Sequence, residues 1–158
     1  MNIQNFDYGE LVALLSDEKA RSPKWSKVKK AFLLQNPHCA ACSKGITLGK
    51  MNVHHIIPYH YCIAAGLPDL ELDTRNLITL CTIGYDHHLL LGHFGDWQSY
   101  NPHLIKDIVQ YSGKTYAQIT ADKAWNKKRI QKPKQVALFT DTDKQALKAM
   151  LDKMYPVK

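Results

Sequence analysis

The side chains best suited to chemistry here are four cysteines and eight histidines, and six of those histidines fall from position 54 to position 93. Cys39 and Cys42 stand in a Cys-Ala-Ala-Cys run, the i, i+3 spacing at which one tight turn points two sulfurs at a single metal ion. Cys81 closes the apolar run Leu77-Ile78-Thr79-Leu80, and His87 follows six residues on. Structural zinc takes four ligands in a tetrahedron. Cys39, Cys42, Cys81 and His87 are therefore the expected set, His87 having the loosest spacing. Cys62 has no partner at ligand spacing and reads as a buried or incidental thiol.

The second group is Val53-His54-His55-Ile56-Ile57-Pro58 together with His87-His88. In an extended strand successive side chains point to opposite faces, so His54 and His55 do not easily serve one metal together. One can bind a metal while the other faces a substrate. His88 can supply a second ligand alongside His54. His93 lies five residues past His88, beyond the i+4 spacing that stacks ligands on a helix, and a break at Gly92 is what would turn it toward the metal. His60 is open to either reading. A metal held by few protein ligands keeps positions for substrate, here a phosphate and its leaving oxygen. The free imidazole, with an ordinary pKa near 6.5, can take a proton from the attacking water. That chemistry is metal-assisted phosphodiester hydrolysis.

These side chains need elements to hold them. Leu11, Leu14 and Leu15 share one face of a short helix over 8–16. Ser22-Pro23 is a helix-start signal, predicting a helix over 23–35 with Trp25, Val28, Ala31, Phe32 and Gln35 inward and Lys24, Lys27, Lys29 and Lys30 outward. Asn36-Pro37 ends it and delivers the chain to Cys39. A strand over 46–55, or two short ones broken near Gly49-Lys50, ends at Pro58. A long connection over 59–75 turns at Gly66-Leu67-Pro68-Asp69. A second strand follows over 77–81, then a helix capped near Asp86 that carries His87 and His88 and is interrupted at Gly92. Further helices are expected over 102–111, 115–128 and 144–154. The last carries an apolar stripe of Leu147, Met150, Leu151 and Met154.

The formal charge is +7 and the isoelectric point about 9.2. From Ala121 to Lys158 there are 10 Lys and Arg against 4 Asp and Glu, which is +6 of the +7. A basic arm favours a polyanion, usually nucleic acid, although a lysine-rich helix is also what a solvated surface looks like. No apolar run approaches the roughly 18–20 residues that span a bilayer. The first fifteen residues carry Asp7 and Glu10 but no Lys or Arg, unlike a secretory leader. The expectation is one cytoplasmic domain with arms, divided as 1–20, a helical arm; 21–112, the core; and 113–158, a basic helical extension.

The ordered elements Cys39-Ala40-Ala41-Cys42, His54-His55-Ile56-Ile57-Pro58, Asn76-Leu77-Ile78-Thr79-Leu80-Cys81 and His87-His88 resemble the HNH endonuclease family, over about residues 21 to 102. The segment His88-Leu89-Leu90-Leu91-Gly92-His93 is similar to phage and bacterial members. The resemblance implies an α+β fold: a small ββα-metal (His-Me finger) core with a zinc knuckle, surrounded by additional helices. It implies His54 and His88 as ligands of a catalytic divalent metal, which could be Mg2+, Mn2+, Ni2+ or Zn2+; His93, on the residues alone, is a candidate further ligand or a phosphate contact. It implies His55 as general base and Asn76 as the residue that holds the loop and orients that base. It departs from the family where many members have a second CxxC pair, since His87 stands in place of the second cysteine.

The function so implied is hydrolysis of DNA phosphodiester bonds, RNA not being excluded. Arg21, Lys24, Lys27, Lys127, Lys128 and Arg129 would contact the backbone without reading sequence. A single such site cuts one strand, so double-strand cleavage needs a dimer or a protein partner. A phage-encoded chain would act in the host cytoplasm. Two other readings use the same residues: a zinc-stabilised nucleic-acid-binding module without catalysis, and a nuclease effector or toxin domain held by an acidic partner.

Overall fold

Ser22 accepts the Lys24 backbone N–H on its hydroxyl and the Trp25 N–H on its carbonyl, so Pro23 and Lys24 form a turn and helix α1 begins at Trp25 (Trp25–Gln35). Pro37 cannot donate the next helical hydrogen bond, and Asn36 closes the last turn by donating twice to the Phe32 carbonyl. The computed structural model describes residues 21–42, 50–59, 62, 67–97 and 99–130, with Gln145, Ala149 and Lys153 as separate helical positions. The expected helix over 8–16, most of that over 144–154, the stretch 46–49 and His60 lie outside the described residues.

Strands β1 (Met51–His55) and β2 (Leu77–Cys81) pair antiparallel, with His54 opposite Ile78 and His55 opposite Leu77. One sheet face packs on α1, where Phe32, Val53 and Leu77 are buried together and Trp25, Val28 and Leu33 close the edge. Ala31 and Gln35, expected inward, are exposed, because two five-residue strands cover only a narrow stripe of the helix. The Ala40 N–H donates to the Thr79 carbonyl and the Thr79 hydroxyl to the Asn36 carbonyl, hooking the Cys39–Cys42 turn onto β2. The 59–75 connection is not featureless. It contains 3-10 turns at Pro68–Glu71 and Thr74–Asn76, the second capped by Asp73.

After β2 comes a π-helical turn, His88–Gly92, then α2 (Leu104–Gln110), α3 (Tyr116–Ala121) and α4 (Lys123–Ile130). The single helix expected over 115–128 is two helices. Thr115 and Gln118 form a capping box that starts α3. Asp122 then leaves helical geometry and accepts the Ala124 and Trp125 N–H groups on its carboxylate, starting α4. Leu80, Leu90, Leu91, Leu104, Tyr111, Ile119 and Trp125 are almost fully buried in one cluster with Cys39, Ala41 and Cys81. The stretch assigned to a basic extension thus contributes Ile119 and Trp125 to the same core as the cysteines. The architecture is mixed α+β, a two-stranded sheet with helices around it. No helix among the described residues is long and apolar enough to cross a membrane.

Candidate metal centres and cleft

Two clusters of ligand atoms form among the described residues: Cys39, Cys42, Cys81 and His87, and separately His54, His88 and His93. Within each cluster the donor atoms lie within 4.8 Å of one another. Tetrahedral zinc–sulfur bonds of about 2.3 Å place sulfurs roughly 3.8 Å apart. The first cluster therefore could hold a metal ion such as zinc with little adjustment.

The cysteine cluster is closed. Cys39, Cys81 and His87 are at most 1% exposed. The Nδ1 of His87 sits 3.5 Å from the Cys39 sulfur and 3.3 Å from that of Cys81. Its Nε2–H donates to the Lys114 carbonyl at 3.1 Å, which fixes the tautomer with the Nδ1 lone pair turned toward the sulfurs. The His87 backbone N–H also reaches the Cys81 sulfur, at 3.4 Å. The Cys39 and Cys81 sulfurs share a hydrogen bond that favours thiolate at Cys39 and thiol at Cys81.

The histidine cluster is open. The three imidazole centroids are 4.9–5.2 Å apart and their planes meet at 79°, 86° and 89°. A metal–nitrogen bond of about 2.1 Å puts a ring centroid roughly 3.2 Å from the ion, so ligands at right-angled to tetrahedral spacing have centroids about 4.6–5.3 Å apart. The observed triangle fits that range. The π turn explains how His93 joins. A π-helix closes i to i+5, so a five-residue spacing lies near one face where an α-helix would rotate it away. Gly92 is required for the same reason. A Cβ there would stand 3.0 Å from Cε1 of His54, so the His54 ring occupies the space a side chain would take.

The carbonyls at the end of the π turn are gathered by Asn101. Its backbone N–H donates to the Gly92 carbonyl at 3.0 Å and its side-chain amide to that of Leu91 at 3.0 Å. The same amide donates to Asp107 at 2.8 Å, and Asp107, fully buried, pairs with Lys128. Lys128, expected on a phosphate, is turned inward onto that carboxylate. The Nδ1–H of His93 donates to the Ser99 carbonyl at 2.7 Å, leaving Nε2 as its ligand atom. The Nδ1 of His88 is buried with no hydrogen-bond partner among the described residues, the condition of an imidazole nitrogen whose partner is a cation. Burial holds all three imidazoles neutral. His54 is well below its ordinary pKa, His88 is pushed down to about 4, and His93 is lowered.

His55 faces α1. Its ring lies 4.5 Å from that of Trp25. Its Nε2–H donates to the Glu71 carbonyl at 3.0 Å, leaving the Nδ1 lone pair free to take a proton. Burial lowers its pKa to about 4 against the opposing effect of that hydrogen bond. Asn76, fully buried, ties the loop that presents this carbonyl. Its amide donates to the carbonyls of Ile57 at 3.0 Å and Leu70 at 3.1 Å, and its Oδ1 accepts the Ile57 N–H at 2.8 Å. Cys62 is buried beneath Ile57 and its thiol is pushed up to about 12.

Both histidine groups open on one cleft of about 440 Å³, whose lining includes Arg21, Lys29, Trp25, Tyr59 and Trp97. The Arg21 guanidinium lies over the Tyr59 ring at 4.8 Å and the Trp25 ring at 5.4 Å, and reaches the buried Glu71 carboxylate. Lys24 in the turn before α1, Lys27 on α1, and Lys127 and Arg129 on α4 are exposed and do not line the cleft. Lys29 and Trp97 do, though neither was expected there; helical spacing alone did not separate Lys29 from its lysine neighbours. Compared with known proteins, the chain matches no family model, no curated protein and no solved structure.

Proposed function

We propose that this chain is a metal-dependent endonuclease of the HNH type, with a ββα-metal core made of β1, β2 and the π turn. It would hydrolyse phosphodiester bonds of DNA. The observation that carries the reading is the division of labour at β1. His54 joins His88 and His93 in a facial triad, while its neighbour His55 stands apart with a free Nδ1, and all four line one cationic cleft.

A divalent ion held by His54, His88 and His93 would supply Lewis-acid stabilisation of the phosphate and the leaving oxygen. The chain's own residues do the rest. His55 is neutral above about pH 4 and accepts the proton of the attacking water at Nδ1. The Glu71 carbonyl holds its tautomer, and Asn76 positions that carbonyl through the Leu70 carbonyl and the residues after β1. Arg21, braced by Glu71 and two aromatic rings, and Lys29 attract the phosphate backbone. A buried Cys3His zinc would pin the Cys39–Cys42 turn to the end of β2 and to the start of the π turn.

The competing reading is a zinc-stabilised nucleic-acid-binding module, for which the cysteine cluster and exposed Lys127 and Arg129 would suffice. Plasmid cleavage by metal-stripped protein, with each divalent metal added back, separates the two when wild type is run beside His55→Ala. The nuclease reading expects metal-dependent nicking that falls on the order of 10²–10⁴-fold in the variant. DNA binding without cleavage under any metal would leave the binding module.

A further inference from the structure

The sequence has three tryptophans, and the structure uses them differently. Trp125 is fully buried against Phe94 and Tyr111. Trp25 carries His55 against its ring, with the Arg21 guanidinium also over it. Trp97 packs on His88 and His93, with centroids at 5.1 and 4.9 Å, yet stays 58% exposed on the wall of the cleft. The part of the indole that these two imidazoles do not cover stands open to a ligand in the cleft. Arg21 and Lys29, also in the lining, supply positive charge. An aromatic platform beside a cationic track is how proteins bind single-stranded nucleic acid, because every base has a π-face to stack.

We infer that Trp97 is a nucleobase-stacking subsite for a nucleotide next to the phosphate bound at the histidine triad, so that the substrate is single-stranded or locally unpaired. A base inside an intact duplex is stacked on both faces and offers none to Trp97 unless it is first extruded. The cleft, at about 440 Å³, is large enough to take one nucleotide. This inference rests on the phosphodiesterase reading for its catalytic part.

The test compares one oligonucleotide as a single strand, in a full duplex, and as a single strand with an abasic position at the cleavage site. Cleavage and equilibrium binding are followed for wild type, Trp97→Phe and Trp97→Ala. The single strand should be preferred over the duplex. Trp97→Ala should weaken handling of the intact strand by roughly 5- to 150-fold, the range of base–aromatic stacking. It should leave the abasic strand unchanged, and Trp97→Phe should retain most of the wild-type level. Equal losses on intact and abasic strands would make Trp97 a wall of the triad and overturn the subsite, as would a duplex handled as well as the single strand. Trp97-dependent binding without cleavage would keep the subsite and refute the nuclease. Cleavage indifferent to Trp97 would do the reverse, and neither binding nor cleavage would refute both.

Discussion

The two ligand clusters sit at either end of one short stretch, with His87 in the first and its neighbour His88 in the second, yet they are built for opposite purposes. The cysteine cluster has four donors, three of them buried to within 1% of exposure, and its imidazole is locked by the Lys114 carbonyl. It leaves no room for a substrate. The histidine cluster has three donors, faces a cleft, and keeps an imidazole nitrogen without a partner among the described residues. A closed tetrahedron contributes to folding, whereas an open triad leaves coordination positions for chemistry. Adjacent residues can belong to both because Cys81 and the helical turn after it send His87 back toward the sheet end and His88 forward into the cleft.

The largest expected effect breaks the closed side of that comparison. Cys39→Ser should lose zinc and unfold the described core, since structural zinc in small domains is worth roughly 10–16 kcal/mol. Circular dichroism with metal analysis reads this directly, and a folded variant that keeps its zinc would contradict the assignment. His88→Ala should do the contrary: retain fold and zinc, and lose cleavage.

Proton linkage gives the next effect. His55 has a folded-state pKa of about 4 against an unfolded value near 6.5, so the folded protein gains from its being neutral. That stability is fully present above pH 6.5 and is lost as pH falls through 4. Denaturant titrations at pH 7 and pH 5 should therefore show wild type losing more stability than His55→Gln, by on the order of 2 kcal/mol at pH 5. Equal losses would mean His55 is not held neutral by burial.

Gly92→Ala sharpens the open side. Its Cβ would press on the His54 ring, which is packed between His88 and His93. Metal affinity of the triad should fall on the order of 10–100-fold, with the cysteine site untouched. The smallest effect is expected at Lys128→Met, which removes the cationic partner of Asp107 and loosens the Asn101 clasp on the π turn. Lys128 is partly exposed, so a loss of about 1–2 kcal/mol in stability is expected, below the cost of breaking a fully buried pair. Calorimetry distinguishes that outcome from no change.

Much of this was legible in the residues. β2 runs over Leu77–Cys81 as its apolar run and bounding residues indicate, and the alternation of β1 separates His54 from His55. The Cys-Ala-Ala-Cys spacing and the short distance from Cys81 to His87 bring four ligands together. What could not be read was whatever depends on backbone geometry away from α and β. The five-residue step from His88 to His93 argues against a shared face until the turn is known to be π-helical. The tautomer of His55 is set by the Glu71 carbonyl, and any residue has a carbonyl, so no side-chain pattern announces it. Asn101, Asp107 and Lys128 meet only once α2 and α4 have packed, and Lys128 looked like one more surface cation. The Asp122 break between α3 and α4 was readable in principle, because Asp is a strong helix-capping residue.

The most direct test of the division between the clusters is cobalt titration of metal-stripped protein, with spectra and plasmid nicking followed together. Two binding events are expected, one with intense sulfur-to-metal charge-transfer absorption and one without it. Nicking should rise only with the second, and His88→Ala should abolish the second event and the nicking while leaving the first intact. A single binding event confined to the cysteines, or nicking that survives in His88→Ala, would contradict the account.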